Sequence, residues 1–229
     1  QAPQSSKLRP ITSTAAAMES GLVSCEWLKA ELERGGPDAP RLVDSTWYLP
    51  NSPFAAPEGS GGAQELFMKG PRLPGSVFFD VDAVSSPHPL GVPHMLPSEE
   101  TFAAAMAALG IEPSTRVVVY DRHGIFSAPR FWYTMKVAFG HPADVAVLDG
   151  GLPRWEELGL PLETGEPPAP GPPAPPAQWK RVPGSSWDLP QVRANIDSRE
   201  ALLVDARPAA RFTGQAPEPR PGCRGGHVP

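Results

Sequence analysis

The side chains with the most evident chemical potential are two thiols, Cys25 and Cys223, which are the only cysteines in the 229 residues. A thiol becomes a nucleophile when a helix N-terminus or a nearby cation favours its ionised form. Cys223 precedes Arg224 and two glycines, but a proline-rich turn comes before it and no helix is predicted after it. We therefore predict that Cys223 is not a nucleophile. Cys25 is expected to pack within an amphipathic helix, and neither thiol has the His/Cys company of a zinc site.

Alternating strand and helix patterns between residues 21 and 165 predict the scaffold. Ser24 is a plausible N-cap for a helix that ends at Arg34, and Ser98 is one for a second helix. Strands are predicted at residues 41–44, 77–79, 117–120 and 145–148, and a helix from 129 to 139. This alternation predicts an α/β fold with a central parallel sheet flanked by helices.

Charge and composition exclude several classes of function. The net charge is −5 and the pI is near 5.6, which argues against broad binding to nucleic acid or to an acidic membrane. No apolar run approaches the roughly 18 residues that a membrane span needs. With two cysteines there is no disulfide framework, which favours an intracellular protein.

The first 20 residues differ in composition from the rest of the chain. Residues 1–18 contain Lys7, Arg9 and five Ser or Thr residues, with no acid. This is typical of a transit peptide for a mitochondrion or a chloroplast, but an ordinary disordered tail on a cytoplasmic protein has the same composition. The chain does not begin with Met, and Met18 is a possible internal start.

The remaining residues predict a linker and the beginning of a repeat. Residues 166–182 form a proline-rich linker, in which polyproline II conformation would act as a semi-rigid spacer. Residues 183–229 then repeat an earlier pattern, since Val204-Asp205 ends a predicted strand at 202–205 as Val43-Asp44 ends the first. We expect one complete domain and the incomplete start of a second copy, so that the chain looks truncated within it.

Several motifs, in order and with consistent spacing, resemble those of the two-domain rhodaneses, and the branch that uses 3-mercaptopyruvate most of all. The resemblance covers residues 22–229. In the first domain it depends on Trp47-Tyr48-Leu49-Pro50, Leu73-Pro74-Gly75, Phe78-Phe79-Asp80-Val81-Asp82, His94-Met95-Leu96-Pro97-Ser98, Val118-Val119-Tyr120-Asp121, Ser127-Ala128-Pro129-Arg130-Phe131-Trp132, Phe139-Gly140-His141 and Leu148-Asp149-Gly150-Gly151-Leu152. In the second it depends on Val204-Asp205-Ala206-Arg207, Arg211-Phe212-Thr213-Gly214 and Pro217-Glu218-Pro219-Arg220.

This resemblance implies roles for four residues. Asp82 and His94 match an acid–imidazole pair that supports a serine in the catalytic loop of the second domain. An imidazole oriented by a carboxylate can move protons through a hydroxyl. Arg211 and Arg220 match two arginines that hold the substrate, whose carboxylate and ketone oxygens suit planar guanidinium groups.

The resemblance also implies a reaction in which a cysteine thiolate takes sulfur from 3-mercaptopyruvate or thiosulfate. The resulting persulfide passes it to a thiol or cyanide acceptor, thioredoxin being one candidate. Asp121 stands where the catalytic cysteine belongs, so the first domain is expected to be the inactive copy. The catalytic Cys and Ser would lie on a loop absent from this chain. No metal, organic cofactor, nucleic acid or membrane is expected to take part.

Two functions remain open. The chain is either part of a 3-mercaptopyruvate sulfurtransferase or a non-catalytic rhodanese-like module that binds a partner. In both cases we predict that these 229 residues alone have little sulfurtransferase activity.

Overall fold

A computed structural model describes residues 18, 20–50, 52–167, 173–175, 177–218 and 222–228. They separate into two compact units. The first comprises the described residues of Gln1–Tyr48 and Ala56–Val182, and the second those of Leu49–Ala55 and Pro183–Pro229.

The first unit is a parallel five-stranded sheet with helices between its strands. Across the sheet the strands lie in the order β1-β5-β4-β2-β3, and all four neighbouring pairs are parallel. The elements are β1 (Leu22–Val23), α1 (Cys25–Arg34), β2 (Arg41–Asp44), α2 (Ala63–Lys69), β3 (Val77–Phe78), α3 (Glu99–Ala108), β4 (Val117–Tyr120), α4 (Ala128–Trp132), β5 (Val145–Leu148) and α5 (Gly151–Glu157).

Alternate residues of β4 pack into two separate hydrophobic cores, one on each face of the sheet. Val117 and Val119 belong to a cluster on one face of the sheet, and Val118 and Tyr120 belong to the cluster on the other. All four are fully buried, as expected for a central strand with helices on both sides. The predicted α/β architecture with a parallel sheet is confirmed.

Two predicted helix starts are confirmed at the level of the capping hydrogen bond. The Oγ of Ser24 accepts from the backbone N of Trp27 at 3.2 Å, and the Oγ of Ser98 accepts from the N of Thr101 at 3.1 Å. Each cap satisfies a donor that the first turn of a helix leaves free.

The helix predicted for residues 129–139 is not α-helical throughout. After α4 the chain continues as a π-helix over Tyr133–Ala138, and the N–H of Phe139 bonds the carbonyl of Thr134, five residues back. The wider turn brings the Phe139 ring to 3.9 Å, between centroids, from that of Phe102 in α3. The apolar spacing predicted a helix but gave no sign of its changed pitch.

The part of the proline-rich linker that the structure describes packs against the first unit instead of standing free. Trp179 is buried, with its ring stacked on His141 at 5.4 Å and edge-on to Phe102 at 5.3 Å. Lys180 and the N–H of Arg181 both bond the Glu99 carboxylate, at 2.8 and 2.9 Å. The spacer interpretation therefore does not fit residues 177–182, because one buried indole fixes this segment.

The second unit holds two helices, α6 (Leu189–Ser198) and α7 (Ala209–Phe212). Asp188 and Gln191 close a capping box at the start of α6, where a helix was predicted. The strand predicted at residues 202–205 is wrong for the described chain. This segment pairs with no described strand, and Leu202 and Val204 are 89% and 80% exposed.

Among the helices that the structure describes, none combines the length and apolar character needed to cross a bilayer.

Candidate functional site

Three strands of the first unit end at the same edge of the sheet, and each leads into a segment with polar side chains. Strand β2 ends at Asp44, β3 is followed by residues 79–82, and β4 is followed by residues 121–127, here named the Asp121 loop. In open α/β sheets the carboxyl ends of parallel strands are where ligands bind. The candidate site is therefore at this edge.

Asp82 and His94, predicted as a pair, are brought together here. Nδ1 of His94 lies 2.6 Å from Oδ1 of Asp82, the distance of an ion pair, although the alignment is not that of a hydrogen bond. Asp82 is 58% exposed and His94 26%, so the pair lies at the surface of the first unit. No other described side chain bonds either ring nitrogen of His94.

Hydrogen bonds and a β-bridge fix the backbone around Asp82 and His94. His94 has a φ of 61°, a left-handed conformation that is uncommon outside glycine. Its carbonyl accepts a hydrogen bond from Arg130 of α4 at 2.6 Å, and Met95 bridges Ser86 in antiparallel fashion. Oδ1 of Asp80 accepts from the backbone N of Asp82 at 2.9 Å.

Trp47 is the third member of this group. Its indole Nε1 donates to Oδ2 of Asp82 at 3.1 Å, and its ring meets that of His94 edge-on at 4.9 Å. Trp47 belongs to the motif Trp47-Tyr48-Leu49-Pro50, but no role was predicted for it. The contact with Asp82 joins residues 35 positions apart, which no local spacing in the sequence indicates.

The Asp121 loop has the form of an anion cradle that is filled by its own side chain. Oδ2 of Asp121 accepts hydrogen bonds from the backbone N of Phe126, Ser127 and Ala128 at 2.7, 2.8 and 2.9 Å. Oδ1 accepts from the N of His123 at 2.9 Å. The carboxylate is fully buried, so four N–H groups that would suit a bound anion are already satisfied.

Glycine is required where the Asp121 loop meets α5. Gly151 has a φ of 52°, and a Cβ there would lie 2.4 Å from the carbonyl oxygen of Asp121 and 2.8 Å from that of Gly124. The N–H of Leu152 instead reaches the Asp121 carbonyl at 2.9 Å. The Gly150-Gly151 turn thus packs directly against the backbone of the Asp121 loop.

The buried carboxylate of Asp44, at the end of β2, contacts residues that hold the Asp121 loop. Asp44 accepts from the N of Thr46 at 2.9 Å, and its Oδ2 lies 3.6 Å from Nε of Arg122. Burial raises the pKa of the Asp44 carboxyl, against the opposing effects of Thr46 and Arg122. Oγ1 of Thr46 in turn accepts from the N of Arg122 at 3.1 Å, which ties the end of β2 to the loop after β4.

Of the two predicted substrate arginines, one lies among the described residues. Arg211 belongs to α7 in the second unit, where its guanidinium pairs with Glu218. Glu218 also pairs with Arg207 at 2.8 Å, and the hydrogen bond with Arg211 lowers the pKa of that carboxyl. Arg220 lies outside the described residues. Arg211 is thus already engaged by an acid of its own unit.

The two thiols differ in environment. Cys25 is buried in α1, with Sγ 3.6 Å from the carbonyl oxygen of Asp149, and burial raises the pKa of its thiol to about 11. This confirms a packing role. Cys223 is exposed, and residues 222–228 contain no helix that would stabilise its thiolate. In the described part of the chain, no group of three or more His, Cys, Asp or Glu residues could hold a metal ion.

Comparison with known proteins agrees with the geometry. The rhodanese-like domain family matches residues 24–158. The chain is 40% identical over 226 residues to thiosulfate/3-mercaptopyruvate sulfurtransferase 1, mitochondrial, of Arabidopsis thaliana, covering 91% of this chain and 56% of that protein. It is 38% identical over 216 residues to human 3-mercaptopyruvate sulfurtransferase, covering 91% of this chain and 66% of that protein.

Solved structures give the same result. The Tum1 protein of Saccharomyces cerevisiae superposes with a TM-score of 0.74 at 30% identity, over 91% of this chain and 67% of that one. SseA of Escherichia coli, described as a 3-mercaptopyruvate sulfotransferase with the rhodanese fold, gives 0.72 at 32%, over 91% and 72%. The chain thus spans between about half and two thirds of the length of the curated relatives described above. The predicted family is confirmed, and the chain belongs to the rhodanese family.

Proposed function

We propose that this chain is part of a sulfurtransferase that moves sulfur from 3-mercaptopyruvate to a thiol or cyanide acceptor. The observation that carries the proposal is the 2.6 Å contact between Asp82 and His94 at the carboxyl edge of the sheet. The names of the Arabidopsis and human relatives support the same chemistry.

In the proposed reaction a cysteine thiolate attacks the sulfur of 3-mercaptopyruvate and breaks its bond to carbon. The thiolate becomes a persulfide, and the departing carbanion takes a proton to become pyruvate. An acceptor thiolate then attacks the outer sulfur of the persulfide and regenerates the cysteine thiolate. Thiosulfate would serve in the same way, with sulfite as the leaving group.

The first unit cannot supply the nucleophile, because Asp121 fills the cradle where the thiolate would lie. In the proposed whole enzyme the cysteine and its serine neighbour stand on the second repeat's counterpart of the Asp121 loop, outside these 229 residues. Asp82 and His94 would then act as a proton relay, with Asp82 orienting the imidazole and His94 exchanging a proton with the serine hydroxyl.

Arg211 and Arg220 are proposed to bind the carboxylate and ketone oxygens of the substrate. Support comes from their motifs and from the chemistry of guanidinium groups. The ion pair between Arg211 and Glu218 adds a condition, because the substrate would have to compete with Glu218 for this guanidinium or share it.

A mitochondrial location is proposed for the protein. The named Arabidopsis relative is mitochondrial, and residues 1–18 are basic and free of acids. A second function, that of a non-catalytic binding module, is favoured by one observation, the cradle filled by Asp121.

The deciding experiment compares His94→Gln with His88→Gln in a protein that carries this chain followed by the complete second repeat of its own gene. His88 is a matched control, because it lies in the same irregular segment and its Nδ1 accepts from the N of Leu90 at 3.2 Å. General acid–base catalysis contributes about 10²- to 10⁴-fold, so His94→Gln should lower kcat/KM for 3-mercaptopyruvate by about 10²-fold or more.

The measured product is pyruvate, with dithiothreitol as acceptor, and the 229-residue chain alone is expected to give none above background. Equal activity of the two variants would contradict the relay. Absence of turnover in the longer wild-type protein would favour the binding module.

A further inference from the structure

The side chain of Trp47 contacts both members of the acid–imidazole pair. Its indole N–H bonds Oδ2 of Asp82 at 3.1 Å, which leaves Oδ1 as the oxygen that faces His94. The indole also meets the His94 ring edge-on at 4.9 Å, and on another side it stacks on Phe126 at 6.3 Å with an interplanar angle of 22°. One rigid ring therefore limits the rotation of the carboxylate and the position of the imidazole.

The backbone of Trp47 is fixed by the Asp121 loop. Its N–H bonds Oγ of Ser127 at 3.0 Å, and its carbonyl oxygen lies 3.2 Å from Nε2 of His123. Ser127 is buried and its own N–H bonds the Asp121 carboxylate at 2.8 Å. A chain of contacts thus runs from the filled cradle through Ser127 and Trp47 to Asp82.

The helix that follows the same loop holds the other member of the pair. Arg130, in the first turn of α4, donates to the carbonyl oxygen of His94 at 2.6 Å, at the residue with the left-handed backbone. Both members are therefore attached to one continuous segment, the Asp121 loop and the helix α4 that follows it: Asp82 through Trp47 and His94 through Arg130.

The short contact in the pair favours one position for the imidazole proton. Although Nδ1 of His94 and Oδ1 of Asp82 are not aligned as in a hydrogen bond, they lie 2.6 Å apart, and at that distance a carboxylate attracts a protonated Nδ1 and repels a lone pair there. The neutral ring then has its lone pair on Nε2, the nitrogen that can accept a proton from a hydroxyl. The orientation of Asp82 selects this tautomer.

We propose that Trp47 is a positioning residue, which fixes the Asp82 carboxylate so that His94 is held in the Nδ1–H tautomer. The filled Asp121 loop thereby gains a function as the brace for this arrangement. The tautomer serves the relay of the proposed function, and to that extent the inference rests on it.

The test is the tautomer itself, observed by long-range ¹H–¹⁵N correlation of the imidazoles in the uniformly ¹⁵N-labelled 229-residue chain. Spectra are recorded at about pH 8.5, above the usual pKa of a histidine near 6.5, and His94→Gln assigns the His94 signals. Trp47→Phe keeps a stacking ring but removes the N–H donor. Trp187→Phe is the matched control, since Trp187 is an exposed tryptophan of the second unit.

The wild type and Trp187→Phe are expected to show His94 with a protonated Nδ1 and an unprotonated Nε2. In Trp47→Phe the ¹⁵N shift of Nε2 should move toward the protonated value, because the freed carboxylate no longer selects one tautomer. A folded Trp47→Phe chain with the wild-type His94 shifts would overturn the proposal.

A second measurement keeps the proposal open to refutation if Trp47→Phe does not fold. In Asp82→Ala, the indole N–H proton of Trp47 should move upfield, since it loses a carboxylate acceptor, while the indole of Trp187 stays in place. An unchanged Trp47 indole signal would show that the hydrogen bond does not exist in solution. Neither readout needs sulfur transfer, so a failed relay in the activity assay and a failed role for Trp47 give different results.

Discussion

Asp121 shows how one residue decides what a loop can do. Its carboxylate accepts four backbone hydrogen bonds inside the first unit, and the side chain is fully buried. Hydrogen bonds to a charged acceptor contribute about 1.5–3 kcal/mol each, but their sum is offset by the burial of the charge. The carboxylate is thus both the anion that organises the loop and the reason that no other anion is needed.

Asp121→Asn should lower the free energy of unfolding of the first unit by about 3 kcal/mol, because an amide removes the charge and turns an N–H₂ group toward backbone donors. Urea unfolding followed by tryptophan fluorescence measures it. The control is Asp149→Asn, since Asp149 directly follows β5 at the same edge of the sheet and is exposed, where substitutions change stability by less than about 0.5 kcal/mol. Equal losses for the two variants would contradict the role of the cradle.

Residue types at the candidate site could be predicted from the sequence, but contacts could not. Asp82 and His94 were named from motifs, whereas their contact depends on eleven intervening residues of mostly irregular chain and on a left-handed His94. The contact of Trp47 with Asp82, 35 residues away in the chain, has no local signature.

At the scale of elements, His141 joins three segments that were predicted separately. Its Nε2 lies 2.7 Å from the carbonyl oxygen of Thr115 before β4, its ring stacks on Trp179 of the linker, and its backbone N–H bonds the carbonyl of Met135 in the π-helix at 2.9 Å. Burial lowers the pKa of this imidazole, and the nearby Lys136 ammonium acts in the same direction, against the hydrogen bond to Thr115. The native state therefore disfavours the protonated ring.

Stability should fall as the pH drops below about 6.5, the usual pKa of histidine in an unfolded chain. Between the unfolded pKa and the lower folded pKa of His141, the unfolded chain binds a proton and the folded chain does not. The stabilisation that is fully present above the unfolded pKa is therefore lost as the pH falls toward the folded pKa. Urea unfolding at pH 7.5 and pH 5.5 should show a smaller difference for His141→Gln than for the wild type or His88→Gln. Identical pH dependence in all three proteins would refute the assignment.

The elements themselves were largely predictable, because their signals are local. Ser24 and Ser98 capped helices as expected, and the apolar run of β4 gave a buried strand. The π-helix was missed because it keeps helical apolar spacing, and the packing of the linker was missed because one buried indole, Trp179, outweighs a proline-rich composition.

At the scale of the whole molecule, the same sequence pattern occurs twice with different outcomes. Val43-Asp44 ends a strand between two partners, with Val43 opposite Val77 on one side and Val119 on the other. Val204-Asp205 ends a segment that has no partner strand in the part of the chain that the structure describes, and Val204 is 80% exposed. The same residue types thus form a strand only where neighbouring strands pair with their backbone N–H and C=O groups.

Hydrogen exchange followed by mass spectrometry should separate the two copies. Amides of Arg41–Asp44 are in the centre of a ladder and should exchange slowly, through global or subglobal unfolding. Amides of residues 202–205 should exchange at nearly the rate of an unfolded peptide. Comparable protection in the two segments would mean that the second copy acquires strand partners in solution.

The filled cradle can also be regarded as a receptor with a tethered ligand. A short flexible tether gives an effective concentration in the millimolar range, and the Asp121 side chain, which reaches the cradle from the loop itself, has far less freedom than such a tether. A free anion would have to displace this carboxylate and also leave its charge buried without partners. We therefore expect the Asp121 loop to keep its conformation when the concentration of small anions around the protein changes.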